Sequence, residues 1–171
     1  MTSMEPSPKD TEQSKTEKSP ARKKLELLES TGEYLFHGSP AAGIEEFEPR
    51  QAMTGDRATK EMHNDGSPGI AATATVDTAV FRSIVHKANL PEDSPFSSSF
   101  DDDGETRVYR VDKATIQSLK VIRPTGHVYV FRKSDFHPYS GAEWRSEEPV
   151  TPIDTVDVNL GDLPLYETTN D

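Results

Sequence analysis

The chain has 171 residues, of which 32% are hydrophobic, with a formal net charge of −11 and a mean hydropathy of −0.73. That length suits one domain of ordinary size, and no apolar run in the sequence approaches the ~20 residues of a membrane helix. There are no cysteines, which excludes disulfides, thiolate nucleophiles and cysteine-ligated metal centres; the acidic balance disfavours nucleic acid as a partner.

Residues 1–30 read as a disordered tail, rich in Ser, Thr, Pro, Lys and Glu, with six basic and six acidic side chains that cancel. Such a segment offers little burial to offset its ordering entropy. The start of the chain has no apolar core, so it does not read as a secretory signal; together with the lack of cysteine, this makes the cytoplasm the expected compartment. Within the tail, residues 21–30 (ARKKLELLES) have the spacing of a short helix that packs Leu25, Leu27 and Leu28. All of the net charge falls on residues 31–171. A single domain is expected over residues 31–165, with a flexible C-terminus over 166–171.

Residues 33–37 (EYLFH) form an aromatic-rich strand that stops at the turn signal His37-Gly38-Ser39-Pro40. Residues 44–47 give a brief strand or turn packing Ile44 and Phe47, and the polar stretch 50–68 reads as a loop. Residues 69–73 (GIAAT) are a short buried strand. Residues 76–88 are the clearest helix, with Val76, Ala79, Val80, Ile84 and Val85 near helical spacing, Phe81 beside them, and Thr75 or Asp77 to cap the start. Residues 89–105 read as a second loop whose acidic tip, Asp101–Asp103, lacks the alternating ligands of a calcium loop; no metal is expected. Strands follow over 106–111, 120–122, 127–132 and 149–158, with a helix or turn over 113–119, a loop over 135–140 and a short edge over 142–146. Six or seven short strands with one or two helices make an α+β fold.

Nucleotide-binding glycine loops and the nucleophile elbow are absent, and His37, His63, His86, His127 and His137 have no metal-ligand spacing. Two features remain. His37 stands at a strand end before Gly38, where the missing Cβ permits a close approach to the backbone. Glu143 stands beside Trp144, the chain's one tryptophan, at a strand start. Each also has a structural reading: a turn histidine, and a surface glutamate beside a core tryptophan.

The run Tyr34-Leu35-Phe36-His37-Gly38-Ser39-Pro40, then Gly69-Ile70-Ala71-Ala72-Thr73 leading into a helix with Ala79 and Phe81, then Glu143-Trp144 ahead of Pro149-Val150-Thr151-Pro152, resembles the ADP-ribosyltransferase-like fold. That split antiparallel β-sheet core is shared by diphtheria-toxin-type transferases, poly(ADP-ribose) polymerases and RNA 2′-phosphotransferases. The layout is most similar to that of small bacterial members of the group. The resemblance covers roughly residues 33–160. It implies NAD as substrate, with ADP-ribose passed to an unknown macromolecular acceptor or NAD hydrolysed. His37 then holds a ribose hydroxyl of NAD, the Gly38 backbone meets the nicotinamide carboxamide, and Ser39 takes the place of the Ser or Thr that follows. Thr73 and Phe81 complete the cofactor-binding set. Glu143 is the catalytic carboxylate that stabilises an oxocarbenium-like ribose.

The sequence departs from the family in three places. The strand at 69–73 has no aromatic to stack on nicotinamide, for which Phe81, Tyr129 and Tyr139 are substitutes. Gly141, two before Glu143, replaces the acidic residue of arginine-modifying members. The Arg-His-Arg set of the RNA 2′-phosphotransferases is not evident. The alternative is a catalytically degenerate member of the fold, an interaction module whose acidic surface binds a basic protein.

Overall fold

The computed structural model describes residues 17–50, 53–55, 62–64 and 68–170. The chain enters as helix α1 (Pro20–Thr31). Ser19 Oγ accepts the Arg22 N–H at 3.1 Å, proline occupies the first turn, and Gly32 closes the end at φ 72°. Leu25 is fully buried and Leu28 packs beside it, while Leu27 is 70% exposed. Residues 20–30 are therefore part of the packed fold, correcting the expected tail boundary: capping at both ends and one buried leucine give this helix a docking face. Residues 1–16 lie outside the described residues.

The centre is a six-stranded, wholly antiparallel sheet built from β1 (Tyr34–Ser39), β4 (Ile70–Thr73), β7 (Gly126–Arg132), β8 (His137–Ser140), β9 (Glu143–Ser146) and β10 (Asp154–Val158). Its spatial order is β10-β7-β1-β4-β9-β8. β1 and β7 pair along their length, from Tyr34↔Arg132 to Ser39↔His127. β4 and β9 pair from Ile70↔Ser146 to Thr73↔Glu143. Between these halves, β1 and β4 meet only at Phe36↔Thr73.

A second sheet, in the order β11-β6-β5, joins β5 (Ser98–Asp102) antiparallel and β11 (Glu167–Thr169) parallel to β6 (Arg107–Asp112). Helix α2 (Val76–Ile84) lies between the sheets. Val76, Ala79, Val80 and Ile84 pack on Phe36, Val128 and Val130 of the large sheet, and Phe81 packs on Tyr109 and Val111 of the small one. The helix sits close because glycine permits it: a Cβ on Gly38 would lie 1.8 Å from the Ala79 carbonyl oxygen. Neither expected cap of α2 applies. The Glu29 carboxylate, from α1, accepts the Val76 N–H at 2.7 Å, and Asp77 pairs with Arg22. Helix α3 (Lys113–Ile122) adds Ile116 and Leu119 to the small sheet's core. On the other face of the large sheet, Leu35, Ile70, Ala72, Tyr129 and Phe131 form a second core with Phe47, which is bridged to Val150.

Several expected boundaries move. Residues 120–122 end α3 rather than forming a strand, since Val121 and Ile122 point outward and Arg123 caps the helix at φ 52°. The 89–105 loop contains β5, the 135–140 loop contains β8, and the expected C-terminal tail contains β11. The 50–68 loop contains a hairpin, β2 (Met53–Gly55) with β3 (Met62–Asn64). Among the described residues no helix is long and apolar enough to cross a membrane.

Candidate functional site

Alternation along the strands places the two singled-out residues on opposite faces of the large sheet. Phe36, Thr73 and Glu143 are register partners across β1, β4 and β9, so their side chains share the face covered by α2. His37 is one residue on, so it points to the other face, edge-on to Phe47 at 5.0 Å.

His37 occupies the gap where β1 and β4 stop pairing. Its Nδ1 is 2.7 Å from the Ala71 carbonyl oxygen. A carbonyl only accepts, so Nδ1 carries the hydrogen and the neutral ring presents Nε2 as an acceptor. Burial pushes its pKa down; the hydrogen bond to Ala71 opposes this and the nearby Arg82 charge adds to it. His37 and Ser39 line a cavity of about 370 Å³ with Ile44, Phe47, Arg50 and Ala71. Ser39 Oγ accepts the Ala41 N–H at 3.1 Å.

Glu143 lines a separate cavity, of about 280 Å³, between the two sheets. Thr73, Thr78 and Arg82, Phe100 and Asp102, and Tyr139 share its walls. Arg145 Nε donates to Glu143 Oε2 at 2.8 Å, and the Arg145 guanidinium stacks 3.7 Å from the Tyr139 ring centre. The carboxylate is thus held in place while 28% of its side chain stays exposed. Across the cavity, Thr78 Oγ1 donates to Asp102 Oδ2 at 2.5 Å. That spends the one threonine hydrogen, so the Tyr109 hydroxyl, 2.8 Å away, donates to Thr78. Burial pushes the Tyr109 pKa up, in keeping with its role as donor. Arg82 extends from α2 with its guanidinium 4.7 Å from the Phe100 ring centre. Burial pulls its pKa down, against the raising effect of Glu143, Asp102 and Tyr109.

The other expected site residues are dispersed. Thr73 is on the Glu143 cavity, with its hydroxyl accepting the Thr75 N–H. Gly38 is pressed against α2, so its bare Cα serves helix packing. Phe81 is 2% exposed in the small-sheet core. Among the aromatic substitutes, Tyr129 is buried, its hydroxyl donating to the Ala41 carbonyl, and Tyr139 is on the Glu143 cavity. The sequence singles out neither Arg82, Thr78 nor Phe100, and Asp102 stands out there only as part of the acidic tip Asp101–Asp103. Two spacings carried the signal: Thr78 and Arg82 are an i, i+4 polar pair on the helix, and Phe100 and Asp102 are i, i+2 on one strand face. Comparison with family models, with curated proteins and with solved structures finds no match to the chain.

Proposed function

We propose that the protein is an ADP-ribosyltransferase-like enzyme that acts on NAD, with Glu143 as its catalytic carboxylate. The observation that carries this reading is Glu143, fixed by Arg145 on the wall of a cavity between the sheets with 28% of its side chain exposed; His37, for which the same cleft was expected, lines a different cavity on the other face of the sheet. β1 and β4 pair once, at Phe36↔Thr73, with His37 on one side of that junction and Glu143 on the other. A dinucleotide has two riboses. In this reading His37 Nε2 accepts from a hydroxyl of one, and Glu143 takes the 2′-hydroxyl of the other. The bond from the ribose carbon to the nicotinamide nitrogen breaks, its electron pair passes to the ring, and neutral nicotinamide leaves. Glu143 stabilises the positive ribose that remains. Water or an acceptor nucleophile then forms the new bond and releases a proton to solvent.

Glu143→Gln keeps the Arg145 contact and the fold but removes the negative charge. Nicotinamide release should fall by about 10²–10³-fold in a variant that still unfolds cooperatively; release at the wild-type rate would overturn the assignment.

A specific observation favours a second reading, that of a non-enzymatic interaction module. His37 and Glu143 line different cavities, and the His37–Ala71 hydrogen bond ties the two strands together at their opening. In that case the acidic surface meets a basic protein, and no nicotinamide is released by any variant.

A further inference from the structure

Replacing nicotinamide by water or by an acceptor hydroxyl sets one proton free inside the cavity, and Glu143 is not available to take it. One of its oxygens accepts Arg145 Nε at 2.8 Å, and in the NAD reading the other holds the ribose 2′-hydroxyl. Among the other described residues that line the cavity, Thr73, Thr78, Tyr139 and Ser140 offer hydroxyls and Arg82 a cation. Asp102 is the remaining Brønsted base. It stands on β5 of the small sheet, whereas Glu143 stands on β9 of the large one, so the two carboxylates reach the cavity from different sheets. The Asp102 carboxylate is fixed at both oxygens. Oδ2 accepts the Thr78 hydroxyl at 2.5 Å, and Oδ1 accepts the Gly104 N–H at 3.1 Å with Arg107 Nε at 3.8 Å. The Tyr109 hydroxyl donates to Thr78 and so keeps the threonine hydrogen on the carboxylate. Two oxygens offer about four acceptor positions, so a nucleophile still finds one. Two carboxylates on a cavity of about 280 Å³ repel each other, and Arg82, which both of them stabilise as a cation, offsets that repulsion.

We propose that Asp102 is the second catalytic carboxylate of this cavity, the base that takes the proton of the attacking water or acceptor hydroxyl. The proposal rests on the NAD reading for the role of Glu143. The nucleophile's oxygen forms the bond to the ribose carbon, and the bond from that carbon to the nicotinamide nitrogen breaks with its electron pair passing to the ring. The nucleophile's proton passes to Asp102 and from there to bulk water. Glycoside hydrolysis also uses two carboxylates about the bond to a sugar carbon. Here the leaving group departs neutral and needs no acid, so one carboxylate is left for the positive ribose and one for the nucleophile.

Nicotinamide release from NAD by the full chain, measured with and without sodium azide, tests this. Azide is a nucleophile with no proton to lose, so it needs no base. Asp102→Asn, which keeps an oxygen for the Thr78 hydroxyl, should slow release into water by about 10²–10⁴-fold. Azide should recover a large part of that loss and yield the ribosyl azide. Glu143→Gln should be slow with azide and without it, because azide does not replace the charge that stabilises the ribose. A merely structural role for Asp102 gives a loss that azide leaves unchanged. If Asp102→Asn does not unfold cooperatively, Asp102→Ser serves the same test, since its hydroxyl also accepts from Thr78 and it leaves room for azide. Release by either Asp102 variant at the wild-type rate, or a loss that azide does not recover, overturns the assignment of Asp102 and leaves that of Glu143 standing. No release by the wild type, with azide or without, overturns the enzyme reading and the base with it.

Discussion

His37 links sequence to chemistry at the scale of a single side chain. Its place at a strand end before glycine made it stand out, but sequence alone left open whether the ring served a ligand or the fold. The structure gives it a fold role, since the imidazole replaces a ladder hydrogen bond by donating to Ala71. This has a consequence for pH. Burial holds the native pKa below the ordinary 6.5, with Arg82 adding to the effect. As the pH falls below 6.5, the unfolded chain takes up a proton at this residue before the native one does. Stability should therefore drop on acidification, by up to about 1.4 kcal/mol per pH unit for this one group until the native pKa is reached. His37→Gln should show a shallower slope in denaturant midpoint between pH 7 and 5. His86, whose pKa is also lowered by burial, contributes in the same direction and is present in both proteins. Equal slopes would mean that His37 titrates alike in the folded and unfolded chains. Glu143 was equally legible as a residue, and its partner Arg145 is two residues on along the same strand; its neighbour Arg82 comes from α2, far away in sequence.

Among the elements, α2 was the most legible because its apolar face repeats at helical spacing. Its depth was not, since that depends on glycines far away in sequence. Gly38→Ala places a methyl against the Ala79 backbone carbonyl, which has no rotamer to yield. It should cost about 3 kcal/mol or more, the upper range for overpacking. Gly126→Ala meets Ser83 Oγ and Cβ and the tip of Ile84, all side-chain atoms, and should cost less in the same chemical denaturation experiment. The reverse order would place the closest approach of the helix elsewhere. The strands that escaped notice share a cause: their pairing is set by partners and not by their own pattern. β5 (SSFDD) has one large apolar residue, and its Asp102 is tolerated inside because Thr78 donates to it. β8 is an exposed edge with a proline, a residue confined to such positions in sheets. β11 pairs in parallel with a strand more than fifty residues earlier, from Glu167↔Arg110 to Thr169↔Asp112.

At the scale of the whole molecule, the α+β class followed from strand and helix spacing, the antiparallel sheet was what the family resemblance implied, and the domain proved larger than its apolar content suggested. Residues 20–30 read from the sequence as part of the disordered tail because their charge pattern resembles the segment before them, whereas they form helix α1. Leu25 at its centre is fully buried against Phe36, Val76 and Val158. Leu25→Ala should therefore destabilise the entire fold by about 2–5 kcal/mol, read as a shift of one cooperative unfolding transition. A loss well under that range would mean that α1 lies loosely on the core. The same helix caps α2 through Glu29, so a segment that reads as tail supports the wall carrying Thr78 and Arg82.

The central claim is that NAD binds with its riboses at His37 and Glu143, and saturation-transfer NMR of NAD on the full chain tests it most directly. The account predicts transfer to the anomeric protons of both riboses, with the signal of one lost in His37→Ala and that of the other in Glu143→Gln. No transfer at millimolar NAD, or transfer that neither substitution changes, would contradict it.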